Sequence, residues 1–118
     1  MIQKEDMLVD RYHKFIRQNN LGTLKANQID FGNGEFIYTD AWVDKTKTLI
    51  EAKSNTERSS IRMAIGQLHD YKRHHKPKPK NLAVLLPNLP NEDLVSLIHS
   101  QNIDVIYEDG IKFYEKKF

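Results

Sequence analysis

The chain has 118 residues, 39% hydrophobic and 29% charged, with 18 Lys and Arg against 16 Asp and Glu, a net charge of +2 and no cysteine. Length points to a single domain spanning 1–118; no apolar run approaches the ~18 residues of a membrane span, the lack of cysteine excludes disulfides and thiolate zinc sites, and no signal segment opens the chain, so a cytoplasmic protein away from membranes is expected. The mild positive balance leaves nucleic-acid binding to be judged from how the charge is distributed.

Residues 3–19 place Met7, Leu8, Tyr12, Phe15 and Ile16 at three- and four-residue steps with charges between them, a helical stripe. Asn19-Asn20-Leu21-Gly22 supplies a stop. Glu5, Asp6 and Asp10 read as dipole-compensating surface acids, with an extra metal ligand as the alternative. Residues 25–32 predict a strand, and Asn33-Gly34 is the strongest kind of short hairpin signal. A two-residue turn there pairs residues whose numbers sum to 67, so that Phe31 faces Phe36 and Asn27 faces Asp40. Asp30 then falls on the opposite face from Asp40.

Tyr38 to Lys53 predicts two antiparallel strands around a polar turn, centred on Lys45-Thr46 or widened to Asp44–Lys47. Either loop makes paired residues sum to 91, which sets Asp40 directly across from Glu51, with Cβ atoms roughly 4.5–5.5 Å apart. Lys53 follows Glu51 onto the same face. A loop of odd length would instead separate the two carboxylates. Like charges facing each other across a ladder are destabilising. A divalent cation bound by oxygen ligands would compensate them, and the lysine could orient a water. An ordinary solvated hairpin face of mixed charge is the plainer reading.

The polar stretch Ser54–Ser60 offers several helix caps. A helix from about Ser60 to His74 carries Ile61, Ala64, Ile65 and Leu68 on one stripe and Met63, Gln67 and Tyr71 on the next. Gly66 within it points to close approach to the sheet. Lys72 to Lys80 is the densest basic run, fit either to hold a phosphate backbone or to remain a solvated loop. Leu82–Leu86 is a strand buried on both faces. Asn91 caps a helix through Leu94 and Ile98, Ile103–Tyr107 is a strand, and Asp109-Gly110 turns the chain back through Tyr114 into a loose tail. The expected order is α-β-β-β-α-β-α-β-β, an α/β (α+β) domain with a mixed sheet flanked by helices.

This order, with Asp40 on one strand and Glu51-Ala52-Lys53 on the next, resembles the PD-(D/E)xK nuclease superfamily over nearly the whole chain. Gln67-Leu68-His69-Asp70-Tyr71 is similar to the Q-x-x-x-Y element of its RecB-like members. Thr39 stands where the motif's name has proline. The resemblance implies a restriction-endonuclease-like fold and Mg²⁺-dependent hydrolysis of DNA phosphodiester bonds, with Mn²⁺ able to substitute. It implies Asp40, Glu51 and the Ala52 carbonyl as metal ligands, Lys53 as the group that positions the attacking water, and Gln67 and Tyr71 as support for the site. Arg58, Arg62, Lys72, Arg73 and Lys76 are candidate phosphate contacts. DNA is the implied partner, with a second copy of the chain or a fused specificity module completing a double-strand cut. The alternative is a non-catalytic nucleic-acid-binding or assembly module on the same fold.

Overall fold

The computed structural model describes residues 4–118; Gln3, where the first helix was expected to begin, lies outside them. Helix α1 (Lys4–Gln18) buries Leu8, Tyr12 and Ile16, one residue per turn on a single stripe. It ends as its sequence requires. Asn20 adopts the left-handed conformation, with φ 56°. Leu21 N–H then donates to the Ile16 carbonyl at 2.8 Å, satisfying one of the helix's orphaned acceptors.

Strands β1 (Leu24–Lys25), β2 (Gln28–Asp30), β3 (Phe36–Tyr38), β4 (Ala41–Val43) and β5 (Thr48–Ala52) follow, then α2 (Arg58–Lys72), β6 (Asn81–Leu86), α3 (Glu92–Ser100), β7 (Asp104–Asp109) and β8 (Lys112–Lys116). The domain is mixed α/β, and the element order agrees with expectation except that each of the first two strands is broken in two. The main sheet runs β1-β4-β5-β6-β7-β8, and β2 and β3 form a separate two-stranded sheet. β5, β6 and β7 are parallel neighbours, whereas β1, β4 and β8 join antiparallel. Leu82 to Leu86 on β6 is buried residue after residue, as a continuous apolar run in a central strand should be. One face of the sheet packs Ile50, Ala83, Leu85 and Ile106 against α1. The other packs Trp42, Leu49, Val84 and Val105 against Ile61, Ala64 and Leu68 of α2 and Leu94 and Ile98 of α3.

The β4–β5 register is the expected one: Ala41 pairs with Ile50, Trp42 with Leu49 and Val43 with Thr48, around the four-residue loop Asp44–Lys47. The hairpin before it departs from expectation. Near the main sheet, Leu24 pairs with Val43 and Lys25 with Trp42, which keeps the sum of 67. Farther out, Gln28 pairs with Tyr38 and Asp30 with Phe36, a sum of 66. Phe31 N–H donates to Glu35 O, so the turn is the three-residue Gly32-Asn33-Gly34, not Asn33-Gly34. The Asp30 carboxylate accepts from Gly32 N–H, and Gly32 and Gly34 both take positive φ. The two registers differ by one residue. Thr39-Asp40-Ala41 therefore opposes Ala26-Asn27, a one-residue bulge. Asn27 faces Thr39, not Asp40: Thr39 N–H donates to Asn27 O, and Asn27 N–H to Thr39 Oγ1.

Smaller corrections follow from local hydrogen bonding. α2 begins at Arg58, two residues early, and its N-cap Glu57 makes no side-chain cap. It closes at Lys72 because His74 N–H and His75 N–H both turn onto Tyr71 O. A Cβ built on Gly66 would meet nothing within 4 Å, so this glycine is not demanded by close packing. Asn91 does cap α3, its carboxamide oxygen accepting from Leu94 N–H at 2.9 Å. The last hairpin turns at Gly110-Ile111, one residue later than expected, since Asp109 pairs with Lys112. The tail is held: β8 runs to Lys116, and Phe118 N–H donates to the buried Asp104 carboxylate.

Candidate functional site

β5 is a central strand, and a central strand covered by helices on both faces normally carries apolar residues. Glu51 on β5 is nevertheless only 5% exposed, and Lys53 just beyond it 7%. Burying charge in this way is costly unless it is compensated. The compensation within the protein is partial. Lys53 Nζ lies 3.9 Å from Glu51 Oε2, well beyond the ~2.7–2.9 Å of a charge-assisted hydrogen bond. The ammonium is thus not consumed by that carboxylate.

Asp40 approaches from β4's leading end, inside the bulge. Its Oδ2 accepts from Ala52 N–H at 3.0 Å, which fixes the carboxylate beside the β5 residues. The Glu51 carboxyl is pushed up to about 9, first by burial and then by its hydrogen bond to Asp40 and that residue's negative charge, with Lys53 opposing. The pair therefore holds a proton at neutral pH because burial penalises a second negative charge beside Asp40 and Lys53 offsets this only in part. Glu5 on α1 adds to the same effect. Sequence alone places Glu5 on the surface; the fold half-buries it within electrostatic range of Glu51.

Helix α2 supplies the third side. Gln67 Nε2 donates to Tyr71 Oη at 3.4 Å, and Gln67 Oε1 is buried without a hydrogen-bond partner among the described residues. Tyr71 is raised above the usual phenol range chiefly by burial, with Gln67 opposing and the charges of Glu51, Asp70 and Asp40 adding to it. Its hydroxyl thus senses both carboxylates. The β2–β3 hairpin leans on this end of α2, with Phe31 set 6.5 Å from Tyr71 and 5.1 Å from His74 between ring centroids. Its other face leaves Phe36 and Tyr38 largely exposed in an edge-to-face pair.

Asp40, Glu51, Lys53, Gln67 and Tyr71 are therefore brought together, as is the Ala52 backbone. The expected basic contacts are dispersed along α2 and beyond it. Arg58 at its start pairs with Asp93 of α3, Arg62 is exposed one turn on, and Lys72 and Arg73 stand at the far end, Arg73 paired with Asp70. Lys76 is exposed on the following loop. No group of three or more His, Cys, Asp or Glu among the described residues is arranged to hold a metal ion. The chemistry of the donor set nonetheless fits a hard divalent cation: two apposed carboxylates with a proton to give up, a backbone carbonyl and an unsatisfied amide oxygen nearby. None of the helices in the described residues is long and apolar enough to cross a membrane. Comparison with family profiles, with curated proteins and with solved structures gives no match.

Proposed function

We propose that the chain is a metal-dependent nuclease, an endonuclease hydrolysing DNA phosphodiester bonds in restriction, defence or DNA processing in the cytoplasm. The observation that carries this reading is the apposition of Asp40 and Glu51 with a buried lysine alongside. The arrangement of strands and the placement of α2 support the likeness to the PD-(D/E)xK superfamily. Asp40, Glu51 and the Ala52 carbonyl would hold Mg²⁺ or Mn²⁺, which supplies Lewis-acid polarisation of the phosphate and acidifies water.

The remaining work belongs to the chain's own groups. Lys53, not drawn into a short ion pair, donates to a non-bridging phosphate oxygen and orients the incoming water. Water oxygen bonds to phosphorus and gives up a proton to solvent as the bond to the leaving sugar oxygen breaks, and that oxygen takes up a proton from solvent. Gln67 and Tyr71 close the α2 side, and the Gln67 carbonyl oxygen is free to accept from the water. Arg62 and Lys72 are exposed for strand contact, whereas Arg58 and Arg73 must leave carboxylate partners to join them. Cutting both strands of a duplex calls for a second active site, from another copy of the chain or a fused module.

Supercoiled plasmid and single-stranded DNA incubated with Mg²⁺ or Mn²⁺ test the reading. Wild type should nick or degrade DNA, EDTA should abolish this, and Lys53→Ala should lower the rate at least about a hundredfold, the scale of losing one preorganised electrostatic group. Undiminished cleavage by Lys53→Ala would remove the site assignment. Binding without cleavage under every metal would select the non-catalytic module instead.

A further inference from the structure

On the α2 side of the sheet, the basic run borders an open cavity of about 700 Å³ lined by Lys72, Arg73, Lys78 and Lys80 together with apolar Leu82 and Phe118. This volume far exceeds that of one small anion, a water occupying only about 30 Å³ of liquid. The ends of α2 and α3 border it, and each helix C-terminus contributes about half a negative charge. Arg73 is offset by Asp70 at 2.7 Å. Lys72, Lys78 and Lys80 have no ion-pair partner among the described residues. Three free cations against about one negative charge from two helix ends leave a clear positive excess.

The loop that presents these cations is held in place. His75 is buried, packs in a tilted pair against Trp42 at 4.2 Å between ring centroids, and is hydrogen-bonded at Nδ1 to Pro77 O and at Nε2 to the Asn27 side chain. At the loop's far end, Lys80 N–H and Asn81 N–H both donate to Lys47 O. A preorganised set of like charges costs folding free energy and lowers the entropic cost of binding an anion. The cavity reaches toward the candidate centre through His75, which lines it and is hydrogen-bonded to the Asn27 side chain, while Asn27 O accepts from the N–H of Thr39, the residue before Asp40.

We propose that this cavity binds the phosphate backbone of the DNA strand running from the Asp40–Glu51 centre, with Lys72, Lys78 and Lys80 as its contacts. The proposal rests on the nuclease reading of that centre. It moves the principal loop contacts from Lys76 to Lys78 and Lys80.

The test is fluorescence anisotropy of a short labelled single-stranded oligonucleotide with the full chain in EDTA, over a salt series, so that cleavage plays no part. Lys78→Ala/Lys80→Ala should weaken binding about tenfold and reduce the log–log salt slope by about 1.4, two phosphates at about 0.7 each. Lys78→Glu/Lys80→Glu should weaken it further. Both side chains are exposed, so neither variant should lower the thermal midpoint. Wild-type affinity and slope in both variants would overturn the proposal, and metal-dependent cutting by wild type would then leave the nuclease reading standing. Loss of binding in the variants, with no cleavage by wild type under any metal, would keep the backbone site and sink the nuclease reading. Inorganic phosphate that stabilises wild type but neither variant, with oligonucleotide binding unaltered, would mark a small-anion pocket and also overturn the proposal.

Discussion

Glu51 titrates under three influences that the fold imposes: burial, Asp40 across the ladder and Glu5 from α1, against the single opposing cation Lys53. Its proton affinity is raised from 4.5 to about 9, so the folded state binds a proton that the unfolded state releases. The stability this proton carries is complete below pH 4.5, declines as pH rises through 4.5 to about 9, and is gone above that. Glu51→Gln keeps a neutral group of the same shape that can donate to Asp40. In EDTA its thermal midpoint should exceed that of wild type by a margin that widens from pH 5 to pH 9. A margin independent of pH would show that Glu51 is not protonated in the fold. Spacing puts Glu51 opposite Asp40, but nothing in the spacing makes the pair hold a proton. That depends on what covers β5, and Glu5, on α1, stands more than forty positions from Glu51 in the chain.

At the scale of elements, β4–β5 was legible because an even loop and a central apolar strand leave one register that keeps both cores dry. The preceding hairpin was not. Asn33-Gly34 invites a two-residue turn, yet Gly32 supplies a further residue able to take positive φ, and Phe31 finds Tyr71 and His74 to pack on. The offset this creates is absorbed at Thr39–Ala41, beside Asp40, where a bulge can re-aim a carboxylate. Helix α2 contains a local cost that packing does not explain, Gly66, exposed and with open space where a side chain would stand. Gly66→Ala should therefore stabilise the protein by about 0.5–1 kcal/mol, read from chemical denaturation. If its cleavage rate falls at the same time, the space above Gly66 is used by DNA; if stability falls, the helix is under constraints the geometry does not contain.

Across the whole molecule, one sheet with a helix on one face and two on the other brings two carboxylates, a lysine and the last turns of α2 to one place. A ligand that binds only this assembled site stabilises the fold by mass action. Mg²⁺ at a hundred times its dissociation constant should add about 2.7 kcal/mol to wild type, seen as a rise in thermal midpoint, and should add little to Asp40→Asn. An equal rise in both would place the ion elsewhere. The amino-acid sequence by itself determined the three helices, the buried β6 strand and the facing of Asp40 and Glu51, because these follow from side-chain periodicity and loop parity over short spans. Only the tertiary structure decided the bulge, the separate β2–β3 hairpin, the approach of Glu5 and the setting of the basic run beside a cavity. Those depend on contacts between segments distant in the chain, and periodicity carries no information about which distant surfaces meet.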